Sequence, residues 1–303
     1  MREDIAFDAN GTTLRGWLYL PEGATRRCPA VVMAHGFSAL KEMGLDDYAE
    51  VFAAAGLACL VYDQRNFGAS DGTPRYEIDP IAQMRDYRHA ITYAESRSEI
   101  APDCIGIWGT SYSGGLVLMV AALDRRVRCV VSQVPFISGF ESFTRLLPLD
   151  QHAAYLTRLA SERRAIARGA TPTVVEICTD DPGKPIDSPG RLTYRYFNSF
   201  HQTKRVTWDN KVTLRSLEYR LEFDARPFVP RISPTPLLML IATQDTITPT
   251  EIALRAFEQA LAPKALQLLA GDHYYPYQAG FAASSDAARA WFVTHLCMKA
   301  SPL

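Results

Sequence analysis

The residues best suited to chemistry lie in the string GTSYSGG, residues 109–115. An apolar run from Ile105 to Trp108 precedes the string, and a long apolar helical pattern follows it at once. A tight turn between a strand and a helix lifts its serine out of the strand plane, and the residues around it must be small. The pattern therefore predicts that Ser111 stands exposed at the carboxyl edge of a sheet as a nucleophile.

A serine hydroxyl is a weak nucleophile that needs a base and an acid that orients the base. Asp245 follows an apolar run in IATQDTITP, and His273 follows the last apolar run in LLAGDHYYPY. These spacings predict that both side chains share the sheet edge with Ser111. His273 would take the proton from Ser111, and Asp245 would hold the imidazole tautomer. Asp272 is a rival acid, but a direct neighbour usually points away from the ring beside it.

The oxyanion that forms during attack on a carbonyl needs backbone N–H donors. We expect Tyr112, directly after the serine, to supply one donor. We expect Phe37 to supply the other, because it follows His35-Gly36 at the end of the apolar run PAVVMAH. His35 is expected to pack or to form hydrogen bonds beside this loop.

The chain resembles the α/β-hydrolase superfamily over nearly its whole length, through the strings HGF at 35–37, GTSYSGG, QDTITP and GDHYYPY. The tyrosine after the serine resembles the dienelactone-hydrolase-like and X-prolyl-dipeptidyl-peptidase-like branches. GTSYSGG together with NKVTLRSLEY is similar to hydrolases grouped with polyketide transferases and thiohydrolases. These resemblances imply acyl transfer from ester, thioester or amide substrates. One position departs from the pattern, since Ser113 stands where the elbow usually has glycine, and this mildly crowds the turn.

The elements that position these residues can be predicted from the sequence pattern. Asn10-Gly11 is a hairpin signal between extended segments at 2–8 and 13–20. Continuous apolar runs predict strands buried on both faces at 29–35, 57–62, 105–108, 127–134, 236–242 and 265–270. Helical patterns lie at 45–55, 80–96, 112–122, 249–260 and 281–296. The alternation predicts an α/β-hydrolase fold with a mostly parallel central sheet flanked by helices.

The alternation stops near Phe136 and resumes at Pro236. Helix-like stretches at 153–168 and 211–222 lie between these points and are separated by the linker TDDPGKPIDSPG. No strong β pattern is present there. The pattern therefore predicts that this part of the chain is a helical insertion.

We accordingly expect a core formed by residues 1–136 and 227–303, with residues 137–226 as a helical cap. Phe136 directly precedes this cap, and Tyr274 directly follows the predicted base. Both aromatic residues are expected to bind substrate as walls of an acyl pocket.

Composition weakens several other classes of function. The 303 residues carry a net charge of −1, without a basic tail or an acidic block, which argues against nucleic acid and membrane surfaces as partners. No apolar run approaches the roughly 18 residues that span a bilayer. The start MREDIAFDANG lacks a signal-peptide core, and the six cysteines form no C-x-x-C pair. We expect a cytoplasmic location.

The predicted function is a serine hydrolase that cleaves a carboxylic ester or thioester through an acyl-enzyme on Ser111, with a small-molecule acyl compound as its substrate. Neither a cofactor nor a metal is expected, because the histidines lack metal-ligand spacing. Acyl transfer or amide cleavage by the same residues is one alternative. A non-catalytic ligand-binding protein on a hydrolase scaffold is another. A homodimer through the cap or an edge strand remains a hypothesis, and the sequence does not identify the substrate.

Overall fold

The central sheet explains how distant parts of the chain meet at one edge. The computed structural model describes residues 1–181 and 190–297. Its strands are β1 (Arg2–Asp8), β2 (Thr13–Tyr19), β3 (Cys28–Ala34), β4 (Ala58–Tyr62), β5 (Ile100–Thr110), β6 (Val127–Gln133), β7 (Val174–Val175), β8 (Val212–Thr213), β9 (Leu237–Ala242) and β10 (Lys264–Leu269). Eight of them form one sheet in the order β1-β2-β4-β3-β5-β6-β9-β10, and β7 pairs with β8. From β4 to β10 every pairing is parallel, which confirms the predicted sheet.

Helices cover both faces of this sheet and also fill the segment between β6 and β9. They are α1 (Leu45–Ala54), α2 (Pro80–Ser96), α3 (Tyr112–Leu123), α4 (Gly139–Leu146), α5 (Leu149–Ala167), α6 (Gly190–Lys204), α7 (Leu214–Glu222), α8 (Thr250–Gln259) and α9 (Phe281–Phe292). Short 3-10 turns lie at Arg226–Arg231 and Tyr275–Tyr277, and a π turn lies at Val293–Cys297.

Alternate residues of the central strands face opposite sides of the sheet, as the period of a strand requires. In β3, Val31 and Met33 join an apolar cluster with residues of α1 and α9. Val32 and Ala34 join the other cluster, with residues of α2, α3 and α8. Every residue of β4 and of β9 is buried, because helices cover both faces.

The predicted hairpin joins the first two strands. Asn10 and Gly11 have φ values of 57° and 84°, the positive values that a tight two-residue turn requires. The N–H of Ala9 donates to the carbonyl of Thr12 at 2.8 Å. The turn fixes the register in which Asp8 faces Thr13.

The segment between β6 and β9 contains more structure than the sequence pattern predicted. Helices α5 and α7 correspond to the predicted stretches, whereas α4 and α6 were not predicted. Ser138 is the N-cap of α4, because its hydroxyl accepts from the N–H of Glu141 at 3.3 Å. The short β7–β8 pair was also not expected. The predicted linker TDDPGKPIDSPG falls largely outside the described residues.

The chain enters and leaves this segment side by side. Ser138 and Asp224 form an antiparallel bridge. The N–H of Gly139 donates to the carbonyl of Phe223, and the N–H of Ala225 donates to the carbonyl of Ile137, both at 2.8 Å. The chain therefore leaves the core and returns to it through two adjacent backbone segments beside the end of β6.

Candidate active site

Ser111 occupies the turn between β5 and α3 in a strained backbone conformation, with φ 55° and ψ −119°. Gly109 permits the turn, because a Cβ there would lie 2.2 Å from the backbone oxygen of Ser113. The backbone of Ser111 is held on both sides. The N–H of Ser111 donates to the backbone carbonyl of Gln133 at 2.9 Å. The carbonyl of Ser111 accepts from the N–H of Phe136 at 2.8 Å. The segment after β6 therefore fixes the turn.

Ser113, which departs from the usual glycine of such turns, has a specific contact. Its hydroxyl donates to the carbonyl of His35. It also accepts from the amide of Gln64 at 3.3 Å. The serine is fully buried, and it ties the start of α3 to the end of β3 through a hydrogen bond that glycine could not form.

The structure brings Ser111, Asp245 and His273 together from the ends of three parallel strands. His273 Nε2 lies 3.0 Å from Ser111 Oγ, and His273 Nδ1 lies 2.7 Å from Asp245 Oδ2. The side chains of His273 and Asp245 are only 5% and 1% exposed. With the proton on Nδ1, the imidazole donates to the carboxylate and presents an acceptor to the serine hydroxyl.

Asp245 is oriented by hydrogen bonds from the loop that follows it. The backbone N–H groups of Ile247 and Thr248 donate to Oδ1 at 2.9 and 2.8 Å. Asp272, the rival acid, instead accepts from the N–H groups of Tyr274 and Tyr275 at 2.9 and 3.0 Å. Its carboxylate therefore stabilises a turn and does not contact the imidazole.

Thr248 is a residue of this site that the sequence analysis missed. Its buried hydroxyl lies 2.8 Å from Asp245 Oδ2, 3.0 Å from the carbonyl of Val134 and 3.2 Å from His273 Nδ1. A hydroxyl has one proton, so it donates either to the carboxylate or to the carbonyl, and it can accept from the imidazole N–H at the same time. The sequence signal that could have identified Thr248 is its position three residues after Asp245, in the string QDTITP.

The two candidate oxyanion donors lie beside Ser111. The N–H of Tyr112 is the first of α3, a position that has no acceptor within the helix. The rings of Phe37 and Tyr112 meet edge to face, with centroids 5.6 Å apart. Both residues line the cavity that opens at Ser111.

His35 is buried behind this loop and interacts with the backbone. Its Nδ1 lies 2.9 Å from the carbonyl of Gly36, and its Nε2 accepts from the N–H of Gln64 at 3.3 Å. Burial lowers the pKa of His35. The neutral imidazole with its proton on Nδ1 satisfies both contacts and holds the peptide that carries the Phe37 N–H.

Two cavities open at Ser111, and both are bordered by Phe37 and Ile247. The large arm, of about 360 Å³, also includes Phe136, Phe143 and Leu217 in its wall. The small arm, of about 80 Å³, has an aromatic wall that includes Trp108, Tyr196, Phe197, Tyr274 and Tyr277, and it is also lined by His273. The predicted wall residues Phe136 and Tyr274 therefore lie in different arms.

Helix α7 supplies wall residues that were not identified from the sequence. Leu217, Arg220 and Leu221 line the large arm. Their spacing of three and four residues places them on one helical face, which is a readable signal. The guanidinium of Arg220 also lies over the ring of Phe37, 5.4 Å from its centroid. The polar part of this wall thus contacts one of the candidate oxyanion residues.

The described residues offer neither a metal site nor a membrane-spanning helix. In residues 1–181 and 190–297, no group of three or more His, Cys, Asp or Glu side chains could hold a metal ion. No helix in the described part of the chain has the length and apolar character needed to cross a membrane.

The fold and the site define an α/β-hydrolase. The chain belongs to the X-Pro dipeptidyl-peptidase (S15) family, whose model matches residues 10–275. It is similar to a thiohydrolase of Eupenicillium brefeldianum, with 31% identity over 89% of this chain and 86% of the relative. A polyketide transferase of Penicillium crustosum is 31% identical over 90% of each chain. The crystal structure of the α/β hydrolase GrgF from Penicillium sp. sh18 matches with a TM-score of 0.86 at 26% identity, over 98% of this chain and 100% of that one.

These relationships confirm the predicted class of function. The protein is an enzyme of the hydrolase and acyltransferase type on an α/β-hydrolase fold.

Proposed function

We propose that the protein cleaves carboxylic esters and thioesters through an acyl-enzyme on Ser111. The observation that carries this proposal is the chain of contacts from Ser111 Oγ to His273 Nε2 at 3.0 Å and from His273 Nδ1 to Asp245 Oδ2 at 2.7 Å. This arrangement lets a neutral imidazole accept the serine proton while a buried carboxylate stabilises the resulting positive charge.

The reaction then has two halves that use the same groups. Ser111 Oγ bonds to the carbonyl carbon as its proton passes to His273 Nε2. His273 returns this proton to the leaving oxygen or sulfur as the bond from that atom to the carbonyl carbon breaks. Water next gives a proton to His273 and bonds to the acyl carbon, and Ser111 Oγ leaves with that proton. The products are the alcohol or thiol and the carboxylic acid.

The negative oxygen of each tetrahedral intermediate would accept from the N–H groups of Phe37 and Tyr112. Both belong to fixed backbone, since Tyr112 begins α3 and His35 holds the Gly36–Phe37 peptide. Preorganised donors of this kind typically contribute about 100- to 1,000-fold each.

The walls of the two arms support esters and thioesters over peptides. Neither arm is lined by an Asp or Glu among the described residues. The ammonium of a peptide's N-terminal residue would need such a partner on leaving water. The thiohydrolase among the relatives also makes a thioester a reasonable substrate for this chain. We further propose that residues 137–226 form a cap, because α4, α5 and α7 supply much of the large-arm wall.

Acyl transfer is a second candidate, in which another nucleophile replaces water in the second half-reaction. His273 is only 4% exposed, and aromatic rings surround it in the small arm. An apolar site of this kind limits the access of bulk water. Methanol added during turnover of S-methyl thiobutanoate tests the choice, because transfer predicts that methyl butanoate forms in preference to free butanoic acid.

Labelling with a fluorophosphonate separates an enzyme from a ligand-binding protein on the same scaffold. Ser111 Oγ would bond to phosphorus, fluoride would leave, and His273 would take the proton. We expect one phosphonyl group on the peptide that contains Ser111 and none on Ser111→Ala. A protein that stays unlabelled would contradict the proposal.

Turnover of methyl butanoate and S-methyl thiobutanoate provides a second, independent test. Ser111→Ala should lower kcat by about a millionfold while the fold is retained. The melting temperature of the variant controls for its folding. Unchanged turnover by a folded variant would show that another group performs the chemistry.

A further inference from the structure

The two arms at Ser111 are bordered by different residues of the site. His273 and Thr110 line the small arm but do not line the large arm, whereas Tyr112 and Thr248 line the large arm only. Ser111 borders both arms and thus lies at their junction. An ester bound at Ser111 must place one half of the molecule in each arm.

The position of the base decides which half enters which arm. The leaving atom receives its proton from His273 Nε2, so it must come within hydrogen-bond reach of this atom, about 2.6–3.2 Å. We propose that the small arm binds the leaving group and the large arm binds the acyl chain. The proposal rests on the acyl-enzyme mechanism at Ser111 and extends it to the class of substrate.

One wall of the small arm consists of aromatic rings with fixed neighbours. The ring of Tyr196 lies 4.4 Å from that of Tyr274, centroid to centroid. The hydroxyl of Tyr274 donates to Thr193 Oγ1 at 2.7 Å. Behind them, Phe197 meets Trp208 edge to face at 4.7 Å. A longer leaving group would have to displace this packed wall.

The volumes set the size of each half of the substrate. The small arm, of about 80 Å³, compares with the roughly 10–15 Å³ that a cavity needs to hold one water molecule. It therefore suits a leaving group of a few heavy atoms. The large arm, of about 360 Å³, is in the range of pockets that bind drug-sized ligands, about 300–1,000 Å³. Phe136, Phe143 and Leu146 make much of its wall apolar.

The substrate class that follows is a long, largely apolar acyl group esterified to a small alcohol or thiol. Ser142, Gln151 and Arg220 also line the large arm. Oxygen substituents along the acyl chain could therefore be hydrogen-bonded there. Acetate esters of long alcohols would have the opposite distribution of size and would fit poorly.

Two isomeric esters test this assignment directly. Methyl undecanoate and decyl acetate have the same atoms and similar hydrophobicity, but they exchange the long and short sides of the ester. We expect kcat/KM to favour methyl undecanoate by about tenfold or more, since each poorly placed methylene costs binding energy. Equal values, or a preference for decyl acetate, would overturn the assignment.

Enlarging the small arm provides a gain-of-function test. Tyr196→Ala removes part of its wall and should move the ratio of the two kcat/KM values toward decyl acetate. Tyr194→Ala is the matched control, because it removes the same side chain from the same helix without touching either arm. An identical shift in both variants would contradict the proposal. If Tyr196→Ala does not fold, Leu217→Trp narrows the large arm and should selectively reduce turnover of methyl undecanoate.

Fluorophosphonate labelling separates the two levels of inference. A labelled Ser111 combined with the wrong ester preference would overturn the arm assignment and leave the acyl-enzyme mechanism standing. An unlabelled Ser111, with neither ester cleaved, would overturn both.

Discussion

Helices α3 and α5 differ sharply in how many of their residues are buried, although both border the large arm. Eleven of the twelve residues of α3 are buried. Only Leu159 and Glu162 are buried among the nineteen residues of α5. Helix α3 follows the turn at Ser111, whereas α5 supplies Gln151 and Tyr155 to the large arm. The proposed chemistry therefore rests on a densely buried part of the molecule, and the large-arm wall rests partly on a lightly packed part.

This difference suggests how the two regions tolerate change. A shift of the buried turn would alter the distances between Ser111, His273 and Asp245 together. A change on α5 would alter the shape of the large arm and leave those distances intact. Substitutions in the two regions should consequently affect different measured quantities.

Among the substitutions that compare these two kinds of region, the largest effect is expected at Asp245, which contacts the imidazole of His273. Asp245→Asn keeps the size of the side chain but favours the wrong imidazole tautomer, and should lower kcat by about 10⁴-fold. Asp272→Asn is the matched control, because Asp272 accepts only backbone N–H groups in its turn. Steady-state kinetics on methyl butanoate measure both variants. A larger loss for Asp272→Asn would reverse the assignment of the acid.

Stability should follow the burial difference between the two helices. Leu118→Ala in α3 removes a fully buried side chain and should lower the free energy of unfolding by about 2–5 kcal/mol. Leu156→Ala in α5 removes a side chain that is 44% exposed and should change it by about 0.5 kcal/mol or less. Urea denaturation measures both values. Similar losses would show that α5 is more tightly packed than its exposure indicates.

Thr248 should contribute a smaller, specific effect on catalysis. Thr248→Val keeps nearly the same shape but removes the hydroxyl between Asp245, His273 and the Val134 carbonyl. A hydrogen bond to a charged group is worth about 1.5–3 kcal/mol, so kcat/KM should fall by at least about tenfold. Thr248→Ser should restore most of it. A Val variant with wild-type kinetics would remove Thr248 from the site.

The smallest expected effect is a gain in stability at the strained turn. Ser111→Gly relieves a positive φ that costs about 1–3 kcal/mol, at an entropic cost of about 0.5–1 kcal/mol. The net gain over Ser111→Ala, which keeps the Cβ, should be about 1 kcal/mol in urea denaturation. If the alanine variant is the more stable of the two, the turn is not strained as its φ of 55° indicates.

The sequence predicted the sheet and its flanking helices well because their signals are local. Helix α2 was predicted at residues 80–96 and is observed at Pro80–Ser96. Proline at its first position and a side-chain cap from Asp79 sharpen this boundary. Buried parallel strands likewise appear as continuous apolar runs, which need no knowledge of their partners.

The helices over the cavity were harder to predict because their apolar faces are narrow. Helix α6 does carry a helical signal, since its buried residues Thr193, Tyr196, Phe197 and Phe200 are spaced three, four and seven apart. The sequence analysis did not recognise this period. Which arm each side chain would line depends on long-range packing, so Phe136 and Tyr274 could not be separated from the sequence alone.

The most direct test of the central claim is to capture the acyl group on the enzyme. The protein is mixed with methyl undecanoate and quenched in acid within the first turnover. It is then digested, and the mass of the peptide that contains Ser111 is measured by mass spectrometry. The mechanism predicts that this peptide gains the mass of one undecanoyl group, and that Ser111→Ala gains none and has lost turnover. Sustained turnover by Ser111→Ala, or a stable acyl group found on a different residue, would contradict the account.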